Sequence, residues 1–376
     1  MRRVLTFCRR EAVLCITALC AAVTMFLVPP DAAYWEYMDF RVLGLLFCLM
    51  AVVAGLQSCG LFTLLAEKLL VGRKPLRLLS LTLVLLPFFA SMLVTNDVAL
   101  LTFVPFAVLV LQLIGRTRLL PWIVVLQTVA ANLGSMATPV GNPQNLYLYS
   151  AFSLTAGRFF GTVLPLTVFS LALLIPLSLC VPGDALEVRL PKGPRPADRR
   201  GLILFGTLFL LCLLTVFRVL PWPLLLAVVL AVLLLAARSV FRRVDYSLLL
   251  TFVFFFIFAG NLGRIPAARE FLMQLMQRYP LTVSTVASQI ISNVPAAVLL
   301  SDFTGNAPAL LAGVNIGGLG TPVASLASLI SLKLYLHTPG ARGGRYLALF
   351  TGINVLFLAL LFALAAWLLH TLSSGT

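Results

Sequence analysis

Four short polar segments interrupt an otherwise apolar chain, and they come in two kinds. Ser91, Thr95, Asn96 and Asp97 lie near the middle of the apolar stretch 78 to 114, and Ser288, Ser292 and Asn293 lie in the comparable stretch 271 to 304. The other kind combines asparagine with glycine and proline. It reads Asn132-Leu133-Gly134-Ser135 followed by Thr138-Pro139-Val140-Gly141-Asn142-Pro143-Gln144-Asn145, and again Asn315-Ile316-Gly317-Gly318-Leu319-Gly320-Thr321-Pro322. A helix cannot run through these Gly and Pro positions uninterrupted, and unwound backbone at membrane depth survives only where it lines protein or water. Such backbone offers carbonyl oxygens to a cation, while the flanking half-helix N-terminus offers N–H groups and a positive dipole end to an anion. No Lys or Arg stands in any of the four segments, so an anion would be held by amide, hydroxyl and backbone donors together with a bound cation.

Two candidate ion and substrate cages follow. Ser91, Thr95, Asn96 and Asp97 join the first break through Asn132, Gly134, Thr138, Gly141, Asn142 and Asn145; Ser288, Ser292 and Asn293 join the second through Asn315, Gly317, Gly318 and Thr321. Asp97 is the sharpest of these. A charged Asp at mid-membrane costs about 2.5 to 3.5 kcal/mol, so it is protonated, paired with a cation, or lining a hydrated cavity. The plainer alternative is that Asp97 only caps the half-helix that follows it, and that the breaks are kinks used for helix packing. Asp302 falls just beyond the second tip, at the expected outer interface.

Catalysis and metal chemistry find little support. The seven cysteines are scattered along apolar runs without a CxxC pair, and the two histidines, His337 and His370, lie near span ends. No paired aspartates or Ser/His dyad occurs at plausible depth for an intramembrane enzyme. The expectation is a non-enzyme without a resident cofactor, with Na+ or H+ as the coupling ion.

The elements that position these segments must be membrane helices. Of 376 residues, 61% are apolar and 10% charged, where soluble domains run near 45 to 50% and about 25%. Mean hydropathy is +1.06. The fold class is therefore an all-α polytopic membrane protein. The net charge of +15 would elsewhere invite nucleic acid, but the basic residues cluster between apolar runs. They gather at Arg2, Arg3, Arg9 and Arg10; at Lys68, Arg73, Lys74 and Arg77; at Arg116 and Arg118; at Arg189, Lys192, Arg195, Arg199 and Arg200; at Arg238, Arg242 and Arg243; and at Lys333, Arg342 and Arg345. Placing all of these in the cytoplasm leaves outside only Arg41, Arg158, Arg218, Arg264, Arg269 and Arg278, a strong positive-inside bias. The partner is the lipid bilayer and not nucleic acid. The N-terminus is then cytoplasmic and the C-terminus outside, in a bacterial inner membrane, with the first apolar run a retained anchor.

About nine spans satisfy this arrangement: 12 to 28, 41 to 60, 119 to 156, 160 to 181, 201 to 218, 220 to 237, 247 to 263, 308 to 335 and 345 to 370. The stretches 78 to 114 and 271 to 304 are read as re-entrant hairpins, although length alone leaves open two full crossings with the tip at the surface. Three matches recur in the same order in both halves: Asp39-Phe40 with Ala54-Gly55 and Asp245-Tyr246 with Ala259-Gly260; Ser91-x-x-x-Thr95-Asn96 and Ser288-x-x-x-Ser292-Asn293; and NLGSMATPV at 132 to 140 with NIGGLGTPV at 315 to 323. Collinearity favours duplication over chance. The chain divides into a first transport repeat (1–181), a cytoplasmic linker (182–200), a connecting span (201–218) and a second, inverted repeat (219–376). The odd connecting span inverts the second copy, so the hairpin tips face each other near the midplane. That is the architecture of a secondary transporter, and it suits alternating access better than a channel.

These residues carry a resemblance to the ion transporter superfamily of ArsB arsenite permeases, NhaD sodium/proton antiporters and divalent anion/sodium symporters, and within it to the YbiR-type inner-membrane anion transporters. The likeness rests on VTNDVAL, on GNPQN at 141 to 145, on SQIISNVP at 288 to 295 and on NIGG at 315 to 318, and runs from about Asp39 to the last span. It implies elevator-like alternating access and adds a homodimer as an assembly found among such relatives. In the dicarboxylate branch each tip reads Ser-Asn-Thr; here the equivalents are Thr95-Asn96-Asp97 and Ser292-Asn293-Val294. Asp97 puts negative charge beside the substrate space and Val294 removes a donor, which disfavours a multiply charged carboxylate. The expected function is an ion-coupled permease for a small anion, oxyanion or neutral hydroxide, with arsenite-type efflux or a sodium/proton antiporter as alternatives.

Overall fold

The structure, a computed structural model, describes residues 11–61, 72–188 and 198–374. Arg2, Arg3, Cys8, Arg9, Arg10, Lys68, Arg189, Lys192, Arg195 and part of the expected linker, 189–197, lie outside the described residues.

The first half opens with two apolar helices, α1 (Ala12–Leu27) and α2 (Phe40–Ser58). A hairpin follows, α3 (Leu76–Ala90) and α4 (Asn96–Leu113), then a broken helix, α5 (Leu120–Ser135) and α6 (Pro143–Ala151), and a long helix, α7 (Ala156–Leu179). The connecting span is α8 (Arg199–Val216). The second half repeats the order: α9 (Trp222–Ala236) and α10 (Tyr246–Arg264); the hairpin α12 (Pro280–Ile291) and α13 (Asn293–Ser301); the broken helix α14 (Ala307–Ile316) and α15 (Leu326–Leu336); and the long helix α16 (Gly343–Ser374). Between α10 and the second hairpin lies α11 (Pro266–Arg278), which the first half does not match among its described residues.

Local chemistry explains the matching boundaries. Asp39 accepts a hydrogen bond from the N–H of Val42 (2.9 Å) at the start of α2, and Asp245 accepts one from Leu248 (3.0 Å) at the start of α10. Both are aspartate N-caps of the second span of a repeat. Pro143 and Pro280 stand in the first turns of α6 and α12, where their fixed φ and missing N–H cost nothing.

Length supports the re-entrant reading most directly in the second hairpin, where at 1.5 Å per residue α12 reaches about 18 Å and α13 about 14 Å, far short of a hydrocarbon core of about 30 Å. The arms α3 and α4 reach about 22 and about 27 Å, and their re-entrant reading rests on their match to the second copy. One boundary differs from expectation. The second hairpin begins at Pro280 and not near 271, because residues 266–278 form the separate helix α11, whose Arg269, Glu270, Gln274, Gln277 and Arg278 make it too polar to enter the bilayer. The expected all-α description holds for the membrane part. A small ribbon is added beside it, where Gly72–Pro75 pairs antiparallel with Ala185–Val188.

The halves pack reciprocally. The first hairpin arm lies on the first half of its own broken helix, α3 on α5 and α12 on α14. The second arm lies on the other repeat's second half-helix, α4 on α15 and α13 on α6. Likewise α1 packs on α10 and α9 on α2, and the long helices cross over, α16 onto α5 and α7 onto α14. Among the described residues, five crossings separate the first helix of one repeat from the first helix of the other: α1, α2, α5–α6, α7 and α8. An odd number sets the copies in opposite orientations.

Candidate substrate and ion site

The four polar segments converge. A cavity of about 480 Å³ is lined by Thr95 and Asp97 of the first tip, Ser292 and Val294 of the second, Asn142 and Pro143 of the first break, and Leu326 at the end of the second. Each belongs to the N-terminal turn of a helix, α4, α13, α6 or α15. Four half-helix N-termini therefore bring their partial positive charge to one space without a cationic side chain at its inner end. Toward the end that carries the basic clusters, the same cavity is lined by Glu11, Arg243, Asp245 and Lys333.

The Asp97 carboxylate makes no hydrogen bond or ion pair to any other described residue; its backbone N–H donates to Asn96 Oδ1 at 3.0 Å. It stands in the first turn of α4, where its charge meets the helix dipole, but its side chain caps no backbone N–H of that helix. The plainer reading of Asp97 as a capping residue is thus not what the geometry shows. Ser292 sits at the second tip with φ 73° and ψ 155°, a region nearly confined to glycine, costing about 1–3 kcal/mol and characteristic of ligand clamps. Its neighbour Asn293 donates its N–H to the Ala324 carbonyl at 3.0 Å and accepts from Val294 N–H through Oδ1.

Most of the remaining asparagines hold the two repeats together. Asn132 Oδ1 accepts from Asn96 Nδ2 (2.9 Å) and from Ser325 Oγ (3.0 Å), and its Nδ2 donates to Ser328 Oγ (3.3 Å). Asn142 caps α6 by accepting from Asn145 N–H, and its Nδ2 donates to Ser135 Oγ (3.1 Å) and to Asn315 Oδ1 (3.3 Å). Asn315 Nδ2 returns a 2.6 Å bond to Asn145 Oδ1, and Asn145 Nδ2 donates to the carbonyls of Met136 and Thr138. The first break is thereby bonded to the second on both of its sides.

The hydroxyls of both repeats make matching contacts. Ser91 and Ser288 are fully buried and donate to carbonyls of their own helices, Phe88 and Ser284. Thr138 donates to the carbonyl of Met92, and Thr321 to that of Gln289 (3.2 Å). Met92 and Gln289 each follow the matched serine, so the same bond fastens break to hairpin in each copy. The glycines are close-approach positions. A Cβ on Gly134 would lie 2.1 Å from the Phe88 oxygen and 2.7 Å from Ser91 Oγ, and one on Gly317 would lie 2.8 Å from Ser288 Cβ. Gly141 and Gly318 are similarly crowded, by the Ser135 oxygen and by Asn293 Nδ2.

Gln289 and three serines escape the sequence reading. Gln289 donates to the carbonyls of Gly317 (2.7 Å) and Leu319 (2.8 Å) and accepts from Thr321 N–H, clamping the second break. Ser325 and Ser328 serve Asn132, and Ser331 accepts from Thr128 (2.7 Å). The signal was present in the three-residue spacing of Ser325, Ser328 and Ser331, which places them on one helical face, and that face meets Thr128 and Asn132.

Oppositely oriented repeats, paired short hairpins and broken helices around a shared cavity define a polytopic membrane transporter fold. The chain belongs to the CitMHS, citrate transporter, family, which matches residues 4–311. The Inner membrane protein YbiR of Escherichia coli is 31% identical over 319 residues, covering 82% of this chain and 84% of YbiR. The silicon efflux transporter of Oryza sativa subsp. japonica is 32% identical over 169 residues, 44% of this chain and 34% of that protein. Among solved structures the YdaH transporter of Alcanivorax borkumensis, whose topology is described as unusual, matches with a TM-score of 0.57 over 98% of this chain and 97% of its own, at 14% identity. It shows the fold alone.

Proposed function

We propose that the protein is an ion-coupled secondary permease for a small, weakly charged oxyanion or a neutral hydroxide, working by alternating access, with Asp97 as the coupling group. The observation that carries this is the cavity's inner end. Four helix N-termini favour partial negative charge there, while the Asp97 carboxylate opposes a multiply charged anion. A solute that presents hydroxyl oxygens to N–H donors and little net charge fits both. The family's citrate label describes better-charged substrates than this inner end accommodates, and the silicon efflux transporter among the relatives is named for a different solute.

By the positive-inside rule the basic face is cytoplasmic, so the N-terminus lies inside and the C-terminus outside, and the cavity mouth at Arg243 and Lys333 opens inward. The relative named as an inner membrane protein supports a bacterial inner membrane. The other candidate site residues act behind the cavity wall by fixing its geometry, with Thr95, Ser292 and Asn142 at its surface. A sodium/proton antiporter is the second reading, favoured by the same unpartnered Asp97.

The test is transport in proteoliposomes, with silicic acid, arsenite, citrate and sodium as separate probes, with and without sodium and across pH. The permease reading expects saturable flux of a neutral or weakly charged hydroxide and loss of its pH or sodium dependence in Asp97→Asn. Dissipation of a pH gradient by sodium alone would select the antiporter instead. Unchanged flux and pH dependence in Asp97→Asn would remove Asp97 from the mechanism.

A further inference from the structure

We propose that the solute carries an apolar body: it is a monosubstituted oxyacid, with one weakly charged, hydroxyl-bearing head and one hydrocarbon group about the size of a phenyl ring. This rests on the permease reading above and narrows its solute. The head takes the inner end of the cavity, among the helix N-termini and Asp97, and the body lies along the wall that leads from there toward the basic face. At about 480 Å³ the cavity has the size of sites for organic ligands, which are mostly apolar with a few placed polar groups.

Two helices supply much of that wall. On α2 the lining residues Leu46, Leu49, Met50, Val53, Ala54 and Gln57 recur at helical spacing and run about 16 Å along the axis. On α15 they are Leu326, Leu329, Ile330 and Lys333, a stripe of about 10 Å. Each stripe is apolar until its last residue, Gln57 or Lys333, at the basic face. The rotation of α15 is informative. Ser325, Ser328 and Ser331 alternate with the stripe in sequence, yet their hydroxyls meet Asn132 and Thr128 of α5, which leaves leucine and isoleucine for the cavity. On α10, Thr251 lines the cavity, but its hydroxyl donates back to the Ser247 carbonyl at 2.7 Å. At the second tip Val294 and Pro295 stand where the first presents Asp97 and Val98, so apolar surface begins beside the head itself. A wholly hydrophilic solute would leave these surfaces without a partner, and a hydrocarbon without a head would do the same to the helix N-termini. A solute with both parts uses the whole cavity.

Competition against saturable silicic acid flux in proteoliposomes tests this, with boric acid as a bare hydroxide, phenylboronic acid as the same head bearing a ring, and toluene as the ring without the head. Phenylboronic acid should inhibit at concentrations at least about tenfold below those of boric acid, through burial of the ring, and toluene should be weaker than phenylboronic acid. Met50→Trp, which fills the wall, should remove most of the ring's advantage, whereas Val168→Trp, at a position 63% exposed on α7, should leave it unchanged. If Met50→Trp fails to fold, Ile330→Thr on the other stripe replaces it. Equal potency of the two acids would overturn the inference and leave the permease reading standing, as would toluene matching phenylboronic acid. Absence of saturable flux for silicic acid and arsenite would instead end the permease reading. Equilibrium dialysis of the purified protein in lipid nanodiscs, with empty nanodiscs subtracted, then decides alone: preference for phenylboronic acid over both controls keeps the two-part site, and lack of preference discards it.

Discussion

Asn132 and Asp97 are both polar groups deep in a membrane protein, yet they stand at opposite extremes. Asn132 has three side-chain partners drawn from a hairpin and from the other repeat, while Asp97 faces the cavity with none among the described residues. Removing Asn132 orphans Asn96 Nδ2 and two serine hydroxyls, each such loss costing about 1–3 kcal/mol when the group is buried. Asn132→Ala should therefore lower the thermal midpoint of the detergent-solubilised protein clearly, and Asp97→Asn should not. Equal effects would mean that the two residues share one structural role. The residue types were legible in the sequence, since amides and an acid in apolar runs demand explanation. Their division of labour was not, because whether an asparagine binds solute or another helix depends on what lies across from it, and two of the three partners of Asn132, Ser325 and Ser328, stand 193 and 196 residues away in sequence.

The hairpins and broken helices meet where side chains are absent. Gly134 admits the Phe88 carbonyl and Gly317 admits Ser288. Gly134→Ala is expected to force these elements apart at a cost of about 1–3 kcal/mol, visible as reduced folded yield and a lower melting midpoint, whereas Gly161→Ala, with no atom within 4 Å of the new Cβ, should be neutral. At the opposite end from the basic face, Arg264 at the end of α10 forms a two-pronged pair with Asp31 in the α1–α2 connection, Nη1 to Oδ1 at 3.1 Å and Nη2 to Oδ2 at 2.8 Å. This guanidinium holds the Asp31 carboxyl below its ordinary range. A lowered acid pKa contributes stability above the unfolded value near 3.9 and loses it as pH falls through the folded value. Asp31→Asn should hence melt earlier than wild type at neutral pH, with the gap closing below about pH 4; a gap that persisted in acid would assign the effect to packing. Prolines and glycines made the breaks readable in advance. The start of the second hairpin was not readable, because α11 carries enough Leu and Met to pass as the rim of the apolar run, and the ribbon at 72–75 and 185–188 has no alternation to announce it.

At the scale of the whole molecule the arrangement was largely legible, because charge clustering and a collinear repeat constrain topology without any knowledge of packing. What they could not give was the crossed partnership in which α4 rests on α15 and α13 on α6. The orientation is open to a direct check. Cys180 is exposed beside the basic ribbon, so in intact cells a variant keeping only that thiol should resist a membrane-impermeant maleimide until the membrane is opened, while a thiol introduced at Glu36 should react at once. The reverse pattern would turn the molecule over.

The crossed partnership also bears on how the two copies depend on each other. Half of this chain, taken alone, loses the cross-repeat contact of its second hairpin arm and of its second half-helix, and keeps an asparagine at its break lacking the amide that completes it. A single unit completes these contacts only against an inverted copy of itself. The connecting span α8 supplies that inversion within one chain, so the two tips need not be identical, and they carry Asp97 in one and Val294 in the other.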